Sequence, residues 1–265
     1  MEKRTDAQIY QIGHKPLEYG YWDNALYTPL QVGNQERFTE VRDTDGTSIA
    51  EWNGLYAENT GLYWIWKNAL EGKKYVGVCQ YRRRLKFKEE EDFDKWFCSC
   101  DVIVASPIFF PHGELRKQYA IFHSDTDLAL VEKIIKEYYP GYVEDFDKWI
   151  NKGKFMFYSN GFVMSARNFR RYCKWLFEVL NLFRQEKGWY TPKMAKDKIE
   201  KEIAAGERAN INGHIGEEME GEKYQGLVFG FLSERLFTLW VLHNFKPSRI
   251  KCIDYTLMEK TENEQ

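Results

Sequence analysis

The stretch Tyr75-Val76-Gly77-Val78-Cys79-Gln80-Tyr81-Arg82-Arg83-Arg84-Leu85-Lys86-Phe87-Lys88 decides the fold class. Tyr75 to Cys79 carries no charged residue, which is the composition of a strand covered on both faces, as central strands of parallel sheets are. The residues that follow alternate. A continuing strand would carry Arg82, Arg84, Lys86 and Lys88 on one face and Arg83, Leu85 and Phe87 on the other. Acids come next at Glu89, Glu90, Glu91, Asp92 and Asp94, and then Asp101-Val102-Ile103-Val104-Ala105 reads as a second buried strand, halted at Ser106-Pro107.

Helices flank these strands. Upstream, Leu55, Leu62, Ile65 and Trp66 recur at helical spacing and predict a helix from about Ile49 to Leu70, between the turn Asp43-Thr44-Asp45-Gly46 and Gly72. Before it, Ala7 to Gly13 reads as a strand running into the polar turn His14-Lys15-Pro16. Downstream, a helix begins near Ser124, Phe155 to Ser165 is strand-like with a break at Asn160-Gly161, and Ala166 to Glu186 is an amphipathic helix capped by Ser165. Lys187 to Gly226 is polar and weakly periodic. It reads as an insertion over 187–226, a mobile lid or acceptor loop, with one helix near Lys196 to Ala205. Phe231 to Phe245 gives a last helix, Arg249 to Tyr255 an edge strand and 256–265 a disordered tail. Strands alternating with helices predict one α/β domain over 1–255, with a mostly parallel central sheet flanked by helices.

Composition narrows the function classes. Basic and acidic residues nearly balance at a formal net charge of −2, which argues against a nucleic-acid binder relying on bulk charge. Aromatics make up 17% of the chain; they suit stacking on sugars and fill cores equally well. Cys79, Cys98, Cys100, Cys173 and Cys252 are odd in number and fit no zinc spacing, so they read as reduced thiols of a cytosolic protein. Met1 to Asp6 does not read as a signal peptide, and the apolar run Leu236 to Leu242 is too short to span a bilayer.

Ligands of such sheets sit beyond the carboxyl ends of the strands, where His14-Lys15 and Gln80 to Arg84 fall. Two cationic groups converging there suit an anion such as a diphosphate. The plainer reading makes the arginine row a solvated edge paired with the acids after it, which fits Arg84, Lys86 and Lys88 better than Arg82 and Arg83. Asp125-Thr126-Asp127 has the Asp-x-Asp spacing of divalent-ion sites, but its place at a helix start favours capping. His123 precedes it. Glu234-Arg235 interrupts an apolar helix, so one of the two points toward something polar unless both lie on an exposed face. Dinucleotide, P-loop, zincin and α/β-hydrolase motifs are absent from the sequence.

An ordered set of short motifs resembles a known family. It comprises Gly13-His14-Lys15, Pro29 to Gly33, Asp45 to Ile49, Asn53, Tyr56 to Thr60, Tyr63 to Asn68, Tyr75 to Arg83, Gln118-Tyr119 with His123, Asn160 to Met164, and Gly230 with Glu234-Arg235-Leu236. Together they are similar to bacterial capsular and exopolysaccharide glycosyltransferases catalogued as a domain of unknown function, whose hallmark is a strand ending His-Tyr-Arg-Arg. The resemblance implies a GT-A-like fold and transfer of a sugar from a nucleotide-sugar donor, a UDP-sugar, to a growing capsular, exopolysaccharide or O-antigen acceptor. It implies a cytoplasmic enzyme with a lipid-linked acceptor, no nucleic-acid partner, and no more than peripheral contact at the inner face of the cytoplasmic membrane. Carried over, His14, Lys15, Asn53, Thr60, Tyr63, Gln80, Tyr81, Arg82, Arg83, Asn160 and Arg235 would bind the donor, and Glu58, His123, Asp127 and Glu234 are the candidate catalytic bases. Gln80 stands where the hallmark has histidine, and Gly161 where methionine is expected.

Departure of a diphosphate is stabilised by Mg²⁺ or Mn²⁺ or by cationic side chains. Here the strand end reads Gln80-Tyr81-Arg82, so arginines are expected to do much of the metal's work, with Asp125 and Asp127 the alternative ligands. The rival readings are a non-catalytic glycan-binding or scaffold protein and, more distantly, a nucleic-acid-processing enzyme.

Overall fold

The computed structural model describes residues 6–17, 20–88, 91–110, 113–157, 160–208 and 221–257. In chain order its elements begin β1 (Ala7–Gly13), β2 (Tyr27–Gln31), β3 (Val41–Arg42), α1 (Asn53–Tyr56), α2 (Asn59–Asn68), β4 (Tyr75–Gln80), β5 (Arg83–Leu85), α3 (Phe93–Ser99) and β6 (Val102–Ala105). Then come β7 (Ile108–Phe109), α4 (Leu115–Phe122), α5 (Asp125–Tyr138), α6 (Val143–Asp145), β8 (Phe155–Met156), β9 (Phe162–Ser165) and α7 (Ala166–Glu186). The last are α8 (Pro192–Ala204), α9 (Gly221–Gly226), α10 (Val228–Asn244), β10 (Ile250–Ile253) and β11 (Tyr255–Leu257).

Seven strands form the central sheet in the order β10-β6-β9-β4-β1-β2-β3, parallel except for β9, which runs against both neighbours. Both faces are covered, and alternate residues sort between them. Tyr10, Ile12, Val76, Val78, Val102, Val104, Phe162 and Met164 join the larger core beneath α2, α5, α7 and α10. Ala7, Ile9, Tyr75, Cys79, Ile103, Ala105 and Val163 join a smaller one with Phe87 and Phe93. The expected α/β architecture is therefore present. Ser165 caps α7 by accepting from Asn168 N, and Phe169, Tyr172, Leu176 and Phe183 on that helix are buried in the core. Among the described residues no helix is long and apolar enough to cross a membrane.

Three expectations fail in instructive ways. The single helix over 49–70 is broken at Ala57–Glu58, where Ala57 has φ 50°. Asn53 Nδ2 donates to Ala57 O at 2.9 Å and to Thr60 Oγ1 at 3.0 Å, a side-chain alternative to the helical ladder. The strand expected to continue to Lys88 stops at Gln80. Tyr81 N donates to Ile12 O and Gln11 Nε2 donates to Tyr81 O, which draws the chain across the end of β1. It then pairs as β5 with β11, so Arg83, Arg84 and Leu85 are all buried and the predicted two-faced alternation does not form. Third, Phe155 to Ser165 divides between two sheets, with β8 pairing β7 and β9 in the centre.

The insertion carries two helices where one was expected, α8, slightly longer than predicted, and α9, and 209–220 lie outside the described residues. Strand β11 extends two residues into the expected tail, whose remainder, 258–265, is also outside them.

Candidate functional site

The carboxyl ends of β1 and β4 and the amino end of β9 meet at one edge of the sheet. Ile12 pairs with Gln80 and Val78 pairs with Phe162, so continuing the second register places Gln80 beside Asn160. Both residues share the parity of the strand residues that face the helices. Glu58, in the turn between α1 and α2, comes down on them. Its Oε1 accepts from Gln80 Nε2 at 3.2 Å and from Asn160 Nδ2 at 3.1 Å, and Arg83 donates to Gln80 Oε1. Gly61 lets this turn approach: a Cβ there would lie 2.9 Å from Val32 Cγ1 and 3.1 Å from Ile12 Cγ2.

A polar layer supports the cluster from behind. Buried Asn59 donates to Ser233 Oγ at 2.9 Å, Asn160 Nδ2 lies 3.2 Å from the same oxygen, and the Ser233 hydroxyl donates to Gly230 O at 2.8 Å. Burial pushes the Glu58 carboxyl above its ordinary pKa, against the opposing pull of these amides and Arg83. A second buried carboxyl, Asp43, accepts from Gly33 N at 3.1 Å and is pushed up to about 6 by burial.

A second group forms around Tyr81, the residue after Gln80. His14 sits edge-on to Tyr81 at 5.2 Å, and Arg82 lies 5.1 Å from the same ring. Burial lowers the pKa of His14, with Lys15 and Arg82 adding to the effect, and burial and Arg82 lower that of Lys15. Lys15 and Arg82 supply positive charge here beside an imidazole whose neutral form is favoured, a combination suited to a multiply charged anion.

Of the expected residues, the structure brings together His14, Lys15, Tyr81 and Arg82 in one group and Glu58, Gln80, Arg83 and Asn160 in the adjoining one. Asn53 and Thr60 hold the Ala57–Glu58 turn. Tyr63 is directed away: it packs edge-on to Phe177 of α7 and Trp66. Arg235 is buried and engaged with Gln118 Oε1 at 2.8 Å, Glu234 Oε2 at 3.1 Å and Phe231 O at 2.9 Å, which ties α10 to α4. Glu234 follows Ser233 and stays partly exposed on the same helix.

His123 and Asp127 do not fit the role of base. The His123 ring is stacked at 3.8 Å on Phe231, and burial, with Arg235 and Arg208 nearby, drives its pKa to about 2. Asp127 is completely buried between Lys187 Nζ at 2.8 Å and Arg208 at 2.7 Å. Asp125 instead pairs with Arg116 at 2.9 Å, so the two aspartates do not converge. Ser124, at the start of α5, makes no side-chain capping bond. Among the described residues no three His, Cys, Asp or Glu side chains come together as a metal site, and these acids do not fit a divalent ion.

Sequence reasoning missed Gln11, Asp43, Asn59 and Ser233. A buried strand or helix position that holds an amide, acid or hydroxyl was the available signal.

The family described as a domain of unknown function (DUF4422) matches residues 8–199. No curated protein matches the chain. The chain is similar in structure to one described as the apo structure of WbbM, a bifunctional glycosyltransferase, with a TM-score of 0.71 and 22% identity over 95% of this chain. It spans 45% of that protein's chain. At that identity the likeness establishes a shared fold.

Proposed function

The chain belongs to the DUF4422 family, and from that premise we propose that it is a glycosyltransferase which moves a sugar from a nucleotide-sugar donor, a UDP-sugar, to a saccharide acceptor of a growing capsular, exopolysaccharide or O-antigen chain. The observation that carries the reading is the arrangement at one end of the sheet, where Glu58 is held by Gln80 and Asn160 and the next residues of the chain, Tyr81 and Arg82, meet His14 and Lys15. The shared fold with a glycosyltransferase structure supports it.

In an inverting transfer the acceptor oxygen attacks the anomeric carbon, the bond to the diphosphate oxygen breaks, and the nucleoside diphosphate leaves with the electron pair. Lys15 and Arg82 meet the charge that develops on the diphosphate. Glu58, ionised above its raised pKa, takes the proton from the acceptor hydroxyl. Gln80 and Asn160 fix the direction of its carboxylate. Arg83, held by Gln80, keeps a positive charge near the reacting centre. By the same resemblance the acceptor is lipid-linked and met at the inner face of the cytoplasmic membrane.

The test is calorimetry with UDP-, GDP-, CMP- and dTDP-sugars, with and without Mn²⁺, followed by turnover in EDTA. A UDP-sugar is expected to bind, and EDTA to leave turnover in place. If no nucleotide sugar binds, the enzyme reading fails; strict dependence on metal overturns the role given to the cations.

A further inference from the structure

On the opposite face of the sheet from Glu58, Tyr21, Trp22, Asp23, Asn24, Tyr27 and Phe87 line an open groove of about 410 Å³. That volume lies in the range ligand pockets occupy, roughly 300–1,000 Å³. The mechanism above does not use it. Trp22 forms its exposed wall, 39% accessible, yet the ring is not loose. The buried Arg84 guanidinium lies 4.0 Å from its centroid, Tyr27 meets it edge-on at 5.1 Å, and its backbone N donates to Gln11 Oε1 at 2.9 Å. An indole fixed in this way offers a flat surface at little cost in conformational entropy. Beside it stand an exposed carboxylate, Asp23, and the amide of Asn24, which is locked because its Oδ1 accepts from Leu26 N at 2.9 Å and Tyr27 N at 2.8 Å.

The chemistry of this lining selects its ligand. A flat aromatic wall takes the C–H face of a pyranose, while a carboxylate and an amide donor take hydroxyls at the ring edge. No cation is exposed in the lining. Arg84 is 1% accessible beneath Trp22, so phosphate or carboxylate finds no exposed counter-charge among these lining residues and a nucleotide or an acidic ligand is disfavoured.

The groove is also wired to the cationic group. Tyr21 Oη donates to Lys15 O at 2.7 Å, and Gln11, which receives Trp22 N through its oxygen, donates to Tyr81 O at 2.7 Å through its nitrogen. One buried amide thus sets both the groove loop and the turn that carries Arg82.

We propose that the Trp22 groove is a neutral-saccharide subsite that holds a stretch of the acceptor glycan away from the transfer site. This rests on the glycosyltransferase reading for its purpose but not for its ligand chemistry.

The test is binding of the intact protein, without nucleotide, to an immobilised array of neutral oligosaccharides, with Trp22→Ala and Asp23→Ala alongside. At least one neutral glycan is expected to bind, and each variant to weaken it about tenfold or more. Calorimetric binding of the UDP-sugar should stay within about twofold of wild type in the variants. Because Trp22→Ala uncovers Arg84, Trp22→Phe is included as a variant that keeps an aromatic cover, and it should retain most of the binding. The proposal is overturned if wild type binds no neutral glycan, or if glycan binding is unchanged in both alanine variants. Glycan binding that depends on Trp22 in a protein that binds no nucleotide sugar would keep the groove and remove the transferase reading.

Discussion

Glu58 and Asn160 are 102 residues apart in sequence and 3.1 Å apart in the fold, and both ends of their bond rest on left-handed backbone. Ala57, which delivers Glu58, has φ 50°, and Asn160 has φ 48°. Such conformations cost of order 1–3 kcal/mol each for residues other than glycine. The Asn53 clamp on Ala57 O and the Ser233 contact to Asn160 hold them in place. The strain falls on the proposed base and the amide that orients it, and four tests follow from that arrangement and its surroundings.

Glu58→Gln preserves the shape of the cluster and removes the proposed base. Turnover should fall by about 10²–10⁴-fold with donor affinity little changed, as steady-state kinetics and calorimetry will show. Burial raises the folded-state pKa above the unfolded one, so ionising Glu58 costs stability. That cost is absent below the unfolded pKa and complete above the folded one. Glu58→Gln should therefore melt higher than wild type at neutral pH, and the gain should vanish in acid.

Asp43 allows the same logic to be tested outside the proposed chemistry. Its pKa rises from 3.8 to about 6, so wild-type stability should decline as pH climbs between those values and level off above. The ceiling on that loss is about 3 kcal/mol. Urea denaturation of Asp43→Asn, which keeps the oxygen facing Gly33 N, should show a flatter profile across this window.

Arg82→Ala should separate binding from folding. Arg82 is partly exposed at the turn after β4, so its loss should leave the melting temperature nearly unchanged. Charge-assisted contacts of this kind contribute about 1.5–3 kcal/mol, so nucleotide-sugar affinity should drop roughly 10- to 150-fold in calorimetry. Unchanged affinity would move the diphosphate elsewhere.

Arg208→Ala should behave in the opposite way. Removing it leaves Asp127 with Lys187 alone in a fully buried position, and breaking such a cluster costs about 3–5 kcal/mol. Denaturation should show this loss and salt should barely modulate it, while UDP-sugar binding to the folded fraction stays intact.

The sequence made the sheet legible because its central strands are buried on both faces and spell this out as unbroken apolar runs. It also placed His14, Lys15, Gln80 and Arg82 at strand ends and a break at Asn160, where the proposed site lies. The turn at Ala57–Glu58 was hidden: a side-chain clamp from Asn53, not a glycine or proline, breaks the helix, and Leu55 to Trp66 keep their helical spacing across the gap. Arg84 read as a solvated residue because its cover, Trp22, comes from 62 residues away. Asp125 and Asp127 looked paired because their spacing is local, whereas Arg208, which claims Asp127, enters from the insertion. Tyr63 shares a motif with pocket residues, yet its helix turns it toward α7.

Strand β9, inserted against the direction of its neighbours, carries a consequence for synthesis. On a ribosome, β1 through β4 can emerge and begin to pair before Asn160 appears, whereas β6 finds its partners β9 and β10 only later in the chain, and Asn59 must wait another 174 residues for Ser233. The cluster around Glu58 therefore has high contact order and closes late.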